Sequence, residues 1–93
     1  MNDTPLFSLG QVVATPAALA TLDRHSKTPS ELIDRHASGD WGNICEEDGR
    51  ANDRALREGM RILSIYKLDH DETVWVITES DRSSTCLLLP GDY

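Results

Sequence analysis

From residue 61 to residue 89 the chain runs through three blocks of β-branched, aromatic and aliphatic residues, separated by polar ones. Residues 61–68, 73–78 and 85–89 read as consecutive strands, because such side chains suit a pleated surface. Leu68-Asp-His-Asp-Glu-Thr73 and Glu79-Ser-Asp-Arg-Ser-Ser84 supply hairpin loops longer than a tight two-residue turn, and Pro90-Gly91 ends the last strand. Strands joined this closely pair most simply as antiparallel neighbours. The alternation inside the blocks does not sort apolar from polar as a half-exposed sheet would. Ile62, Tyr66 and Leu68 fall on one side, Leu63 and Ile65 on the other. Val74 and Val76 oppose Trp75 and Ile77, and Leu87, Leu88 and Leu89 occupy both sides. Both faces of the sheet therefore call for cover.

The preceding residues carry helix signals. Thr15-Pro16 and Thr28-Pro29 each set a capping hydroxyl before a proline at the first helical position. Glu31 completes a capping box with Thr28. These signals predict a helix over 16–24 presenting Leu19 and Leu22. They predict another over 29–37 presenting Leu32, Ile33 and His36 or Ala37, stopped at Ser38-Gly39. Asp40-Trp41-Gly42 reads as a turn. Asn43, boxed with Glu46, is the expected cap of a third helix over 44–58 that stops at Gly59. Its apolar face is thin (Ile44, Cys45, Ala51, Ala55, Leu56), and Gly49 inside it costs about 1 kcal/mol against alanine. Residues 7–14 suggest a short edge strand broken at Gly10, and residues 1–6 a frayed end.

These elements make one α+β domain: three short helices on a three- or four-stranded antiparallel sheet, with the helical part over 15–59 and the sheet part over 61–89. Three short helices barely suffice for both faces. Either they divide between the faces, or one face is left to a second copy of the chain or to a larger protein.

Composition narrows the function classes. With 93 residues the chain is one domain, and 39% hydrophobic residues are enough for a single core. Sixteen acidic against nine basic residues, a net charge of −7, argue against a basic track for a nucleic-acid backbone, so no direct nucleic-acid binding is expected. Cys45 and Cys86 do not make a disulfide framework, and both read as small core residues. No apolar run approaches the roughly 18 residues of a membrane span, and Met1-Asn-Asp-Thr-Pro5 lacks the marks of a signal peptide. A cytoplasmic protein without a membrane partner is the expectation.

Candidate chemistry is sparse. His25, His36 and His70 have no metal-ligand spacing, so no metal or cofactor is expected. His70, among Asp69, Asp71 and Glu72, reads as a solvated loop rather than a weak cation site. Cys45 with His36 could form a nucleophile and base, but nothing in the sequence places them together. Glu46, Glu47 and Asp48 suit the start of a helix dipole; functionally they would receive a basic partner or imitate a phosphate backbone. Arg50, Arg54 and Arg57 share a helix face, a weak anion-binding stripe, with Glu46, Asp53 and Glu58 in reach as salt-bridge partners. Asp40 and Trp41 are candidate partner-binding residues, since Trp is favoured at interface centres, with a core plug as the alternative for Trp41. Asn52, if it faces inward, needs partners, and the Asp40-Trp41-Gly42 turn is the candidate anchor. Phosphate loops, dinucleotide glycine patterns and nucleophile elbows are absent from the sequence.

Gly39-Asp-Trp-Gly-Asn43, Asn52-Asp-Arg-Ala-Leu56, Arg61-Ile-Leu-Ser64 and Val74-Trp-Val-Ile-Thr-Glu79 with Asp81-Arg-Ser-Ser-Thr85 resemble a family of small uncharacterised proteins. These are carried by bacterial plasmids, integrative elements and phages, and are often labelled as relatives of a type I restriction-modification M subunit. The likeness runs over residues 7–93. It implies a mobile-element context and transfers no catalytic residue. The label fails as an activity: the chain has no Pro-Pro for the methyltransferase motif, and its length cannot hold a doubly wound sheet. The leading expectation is a non-enzymatic accessory or interaction protein that binds a protein partner. The alternatives are an acidic anti-defence inhibitor that imitates DNA before a restriction or CRISPR nuclease, and a small hydrolase or nuclease using His70 or His36.

Overall fold

A computed structural model describes residues 5–93. It is an α+β fold in the order β1 (Gln11–Ala14), α1 (Pro16–Arg24), α2 (Pro29–Ala37), α3 (Glu46–Glu58), β2 (Ile62–Lys67), β3 (Thr73–Thr78) and β4 (Ser84–Leu88), followed by a 3-10 turn, Pro90–Asp92. The four-stranded sheet has the order β1-β4-β3-β2. The β2–β3–β4 meander is antiparallel, as expected, but β1 lies parallel to β4, so the sheet is mixed rather than purely antiparallel. The cause is topological. β1 precedes all the helices, and the chain re-enters the sheet at the opposite edge, so β1 meets β4 across the finished meander.

The predicted caps start the first two helices. Thr15 Oγ1 accepts from the Ala18 N–H and Thr28 Oγ1 from the Glu31 N–H, with proline following each cap. Gly59 ends α3 in the left-handed conformation. The start of α3 differs from expectation. Cys45, not Asn43, is its cap, with Sγ accepting from the Asp48 N–H. Asn43 is taken by the sheet instead: its N–H donates to Ile65 O at 2.6 Å, and its Oδ1 accepts from the Lys67 N–H at 3.0 Å. The chain stays extended there, and the helix waits until Glu46. Both cysteine expectations also fail. Cys45 is exposed, because a cap sits at the water-facing end of its helix, and Cys86 is only half-buried.

One face of the sheet makes the core. Tyr66, Val74, Val76 and Leu87 pack under Ala18, Leu22 and Leu32, with Ala14, Ile33, Leu68 and Leu89 at the margin. Burying each large side chain contributes about 1.5–3 kcal/mol. The Tyr66 hydroxyl, pushed up to about 12 chiefly by burial, donates to Asp40 O at 2.7 Å. The Arg35 guanidinium lies over the same ring, 4.6 Å from its centre. Arg82, in the β3–β4 loop with φ 60, donates to the carbonyls of Ala55, Met60 and Glu79, tying that loop to the end of α3. At the other end of the chain, residues 1–4 of the expected frayed end lie outside the described residues. Leu6 is anchored, its N–H donating to Ala37 O at 2.8 Å. No helix among the described residues is long and apolar enough to cross a membrane.

The β2 edge is closed by side chains and by one turn. Leu63, Ile65 and Lys67 point their backbone groups away from β3. Asn52 holds Leu63 from both sides: Nδ2 donates to Leu63 O at 2.6 Å, and Oδ1 accepts from the Leu63 N–H at 3.1 Å. Ile65 donates to Trp41 O and accepts from Asn43 N–H. Asn52 thus anchors the strand rather than the turn, which holds itself through Asp40 Oδ1 and the Gly42 N–H. Gly42 has φ 78 and sits against Ile65 O, and an added Cβ would collide with that carbonyl and with Tyr66. Replacing Asn52 by Leu strands both groups of Leu63, with an expected loss of about 1–3 kcal/mol in urea unfolding. Asn52→Asp keeps the shape and the acceptor but aims a charge at Leu63 O, so it should also destabilise.

Candidate functional site

The second face of the sheet is the largest feature without a helix. Register places Val13, Cys86, Ile77 and Leu63 in one row across the four strands, and Leu88, Trp75 and Ile65 in the next. None of the seven belongs to the helix-covered core cluster. Ile77 and Leu88, in the middle, are buried, at 6% and 7% exposure, while Val13 at the edge is 42% exposed. Leu63, Ile65, Trp75 and Cys86 are half-buried. The C-terminal turn lays one ring here: Tyr93 meets Trp75 edge-on at 5.9 Å, and its hydroxyl accepts from Arg61 Nη1 at 2.7 Å. Tyr93 itself stays 70% exposed. Burial raises the Cys86 thiol above its ordinary value, which disfavours the thiolate. Charge is confined to the rim, with Arg61 and Glu79 at one end of the strands and Lys67 at the other.

The residues singled out from the sequence go elsewhere. Trp41 is half-buried on the helix side, 6.3 Å from the Phe7 ring and 5.9 Å from His36, and its indole N–H donates to Asp53 Oδ1. Asp40 is gripped by Arg35 at 2.7 Å, and the hydrogen bond from that guanidinium holds its carboxyl below the usual range. Glu46, Glu47 and Asp48 are exposed in the first turn of α3, with Glu46 paired to Arg50 at 2.6 Å. Arg57 donates to the Asp53 carbonyl rather than to its carboxylate, and Arg54 is exposed on the same helix. Exposed pairs of this kind stabilise by well under 1 kcal/mol.

His36 is fully buried, and among the described residues no carboxylate meets it. Its partners form a chain of hydroxyls whose direction can be worked out. The Leu9 carbonyl can only accept, so Thr85 Oγ1 donates to it at 2.8 Å. Thr78 Oγ1 must then donate to Thr85 Oγ1, 2.6 Å away, and accept from His36 Nε2 at 2.9 Å. Nδ1 is left to accept the Ser64 hydroxyl at 2.6 Å. Burial pushes the pKa of the ring down to about 4, so it is neutral, with its proton on Nε2. Cys45 is not in this chain, so the sequence-level pairing of Cys45 with His36 is not realised.

A cluster that sequence spacing missed lies at the other end of the sheet. His25, at the C-terminus of α1, points Nε2 at Glu72 Oε1 (2.8 Å) and Asp69 Oδ2 (3.6 Å) in the β2–β3 loop. His70, the histidine the sequence favours there, is solvent-exposed and lies 3.8 Å from Asp71 only. Nothing local signals the His25 group, since His25 stands 44 residues from Asp69 and 47 from Glu72 in the chain.

The His36 site makes stability pH-dependent. The unfolded chain takes up the imidazole proton near pH 6.5, the folded chain only near 4. Between those values the unfolded state binds more protons, so stability is fully present above pH 6.5 and falls as pH drops to about 4. The expected loss is about 3 kcal/mol, at about 1.4 kcal/mol for each pH unit. Denaturant unfolding at stepped pH checks the loss, and nitrogen NMR of the His36 ring checks the Nε2–H form.

No protein-family model matches the chain, and no curated protein or solved structure matches it.

Proposed function

We propose that this chain is a non-enzymatic interaction protein whose working surface is the helix-free sheet face, and that the occupant of that face is a second copy of the chain. One observation carries the reading. Val13, Cys86, Ile77, Leu63, Leu88, Trp75 and Ile65 form two contiguous apolar rows outside the core that the helices cover. A patch of this kind, rimmed by polar residues, marks an interaction site, and Trp and Tyr are the side chains that anchor such interfaces.

The rim supports self-pairing. Two sheets packed face to face about a two-fold axis running across the strands lay opposite strand ends together. The Lys67 end of one copy then meets the Glu79 end of the other. Glu46, Glu47 and Asp48 stand on α3, away from the patch, and the acidic β2–β3 loop beside Lys67 is brought to the Arg61 end of the other copy. The likeness to small proteins of bacterial mobile elements fits an accessory role of this kind.

Light scattering tests the reading. The native chain is expected at twice the mass of one chain. Ile65→Lys, on the patch at the closed-edge strand β2, is expected at the mass of one chain with unchanged far-UV circular dichroism. A monomeric native chain over the whole measurable concentration range would overturn the self-pairing.

A further inference from the structure

His25, Asp69 and Glu72 come from two elements and converge on one point at the end of the sheet farthest from Arg61. Their facing atoms, His25 Nε2, Asp69 Oδ2 and Glu72 Oε1, all lie within 4.8 Å of one another. We propose that this triad is a binding site for a divalent ion of the zinc type, with three protein ligands and a fourth position open to solvent.

Each carboxylate has one oxygen committed and one left over. Asp69 Oδ1 accepts the Asp71 and Glu72 N–H groups at 2.7 and 2.8 Å, which fixes the carboxylate and turns Oδ2 toward His25. Glu72 Oε2 is held by the Arg24 guanidinium, which leaves Oε1 facing the imidazole. Hydrogen bonds to these carboxylates favour their ionised forms: Glu72 is held below the ordinary range by His25 and Arg24, and Asp69 by the loop N–H groups. Orientation of ligands by an outer layer of partners is the usual construction around a bound metal. Donor atoms about 2.0–2.1 Å from an ion stand about 3.3 Å apart at the corners of a tetrahedron. The His25–Glu72 and His25–Asp69 separations, 2.8 and 3.6 Å, bracket that spacing.

The ligand types select the ion. An imidazole nitrogen is a poor partner for calcium or magnesium, which take oxygen ligands, and one nitrogen with two carboxylates suits zinc. The side chains of His25, Asp69 and Glu72 keep 21%, 41% and 32% exposure, so an ion can reach them and a water molecule can complete its shell. A bound ion would fasten the end of α1 to the β2–β3 hairpin, a join that rests on hydrogen bonds and ion pairs from Arg24 and His25.

Calorimetric titration of the native chain with zinc chloride tests the site. One saturable equivalent is expected. His25→Gln and Glu72→Gln should each weaken binding by more than about 100-fold, beyond the 10–100-fold typical of an outer-layer loss. His70→Gln and Cys45→Ser should leave it unchanged. The unmutated chain supplies a second reading that no folding defect can obscure, because zinc should shift the His25 ring resonances ahead of those of His36 and His70. Absence of a saturable equivalent would overturn the proposal. So would binding that survives both substitutions in the triad, binding lost with His70 or Cys45, or zinc-induced shifts that bypass the His25 ring.

Discussion

A four-stranded sheet has two faces and two edges, and this chain closes one of each. The helices α1, α2 and α3 are short, 9, 9 and 13 residues; α1 and α2 cover the face that carries Tyr66, Val74, Val76 and Leu87, and α3 lies beside the β2 edge. On the other face, among the described residues, no helix is part of the packing: Ile77 and Leu88 are buried, Leu63, Ile65, Trp75 and Cys86 are half-buried, and one tyrosine ring reaches Trp75. The same economy governs the edges. Asn52 and the Trp41–Asn43 segment meet the outward groups of β2, whereas among the described residues nothing is hydrogen-bonded along the outer side of β1.

Polar groups inside the covered face are handled with similar strictness. Ser64, Thr78 and Thr85 stand among apolar neighbours on the sheet, each fully buried. Each would cost free energy without a partner. His36 links Ser64 to Thr78, Thr85 carries the chain to Leu9 O, and no buried side-chain polar atom among the described residues is left unpaired. The arrangement depends on a neutral ring, because an imidazolium would bring a second donor to Nδ1, where the Ser64 hydroxyl already donates. A histidine on an apolar helix face is thus a connector of hydroxyls here. Its burial removes it from any chemistry with solvent.

Much of the architecture was legible because it rests on local signals. Thr15-Pro16, Thr28-Pro29 and the glycines after α2 and α3 act within a few residues, and they set helix limits much as expected. The three strand blocks were equally plain, as was the oiliness of both their sides. What escaped was decided at long range. Asn43 has the chemistry of a cap, yet a strand edge 24 residues on competes for its side chain and wins. Asn52 was correctly marked as needing partners, but which backbone it would meet depends on how α3 lies beside β2. The triad of His25, Asp69 and Glu72 was hidden for the same reason, and His70 drew attention only because it is adjacent in sequence to acidic residues. The parallel placement of β1 likewise follows from where the meander ends, which no property of Gln11, Val12, Val13 or Ala14 announces.

The closed β2 edge bears on what happens when such chains are crowded. Growth of a cross-β tape needs two joining sides on every unit, one to receive and one to pass on. With Asn52 and Asn43 occupying one side, a molecule that recruits a neighbour through β1 has no second docking line to offer. Strand-by-strand polymerisation therefore ends after a single addition, and the two asparagines act as chain terminators for a process that the oily sheet would otherwise invite.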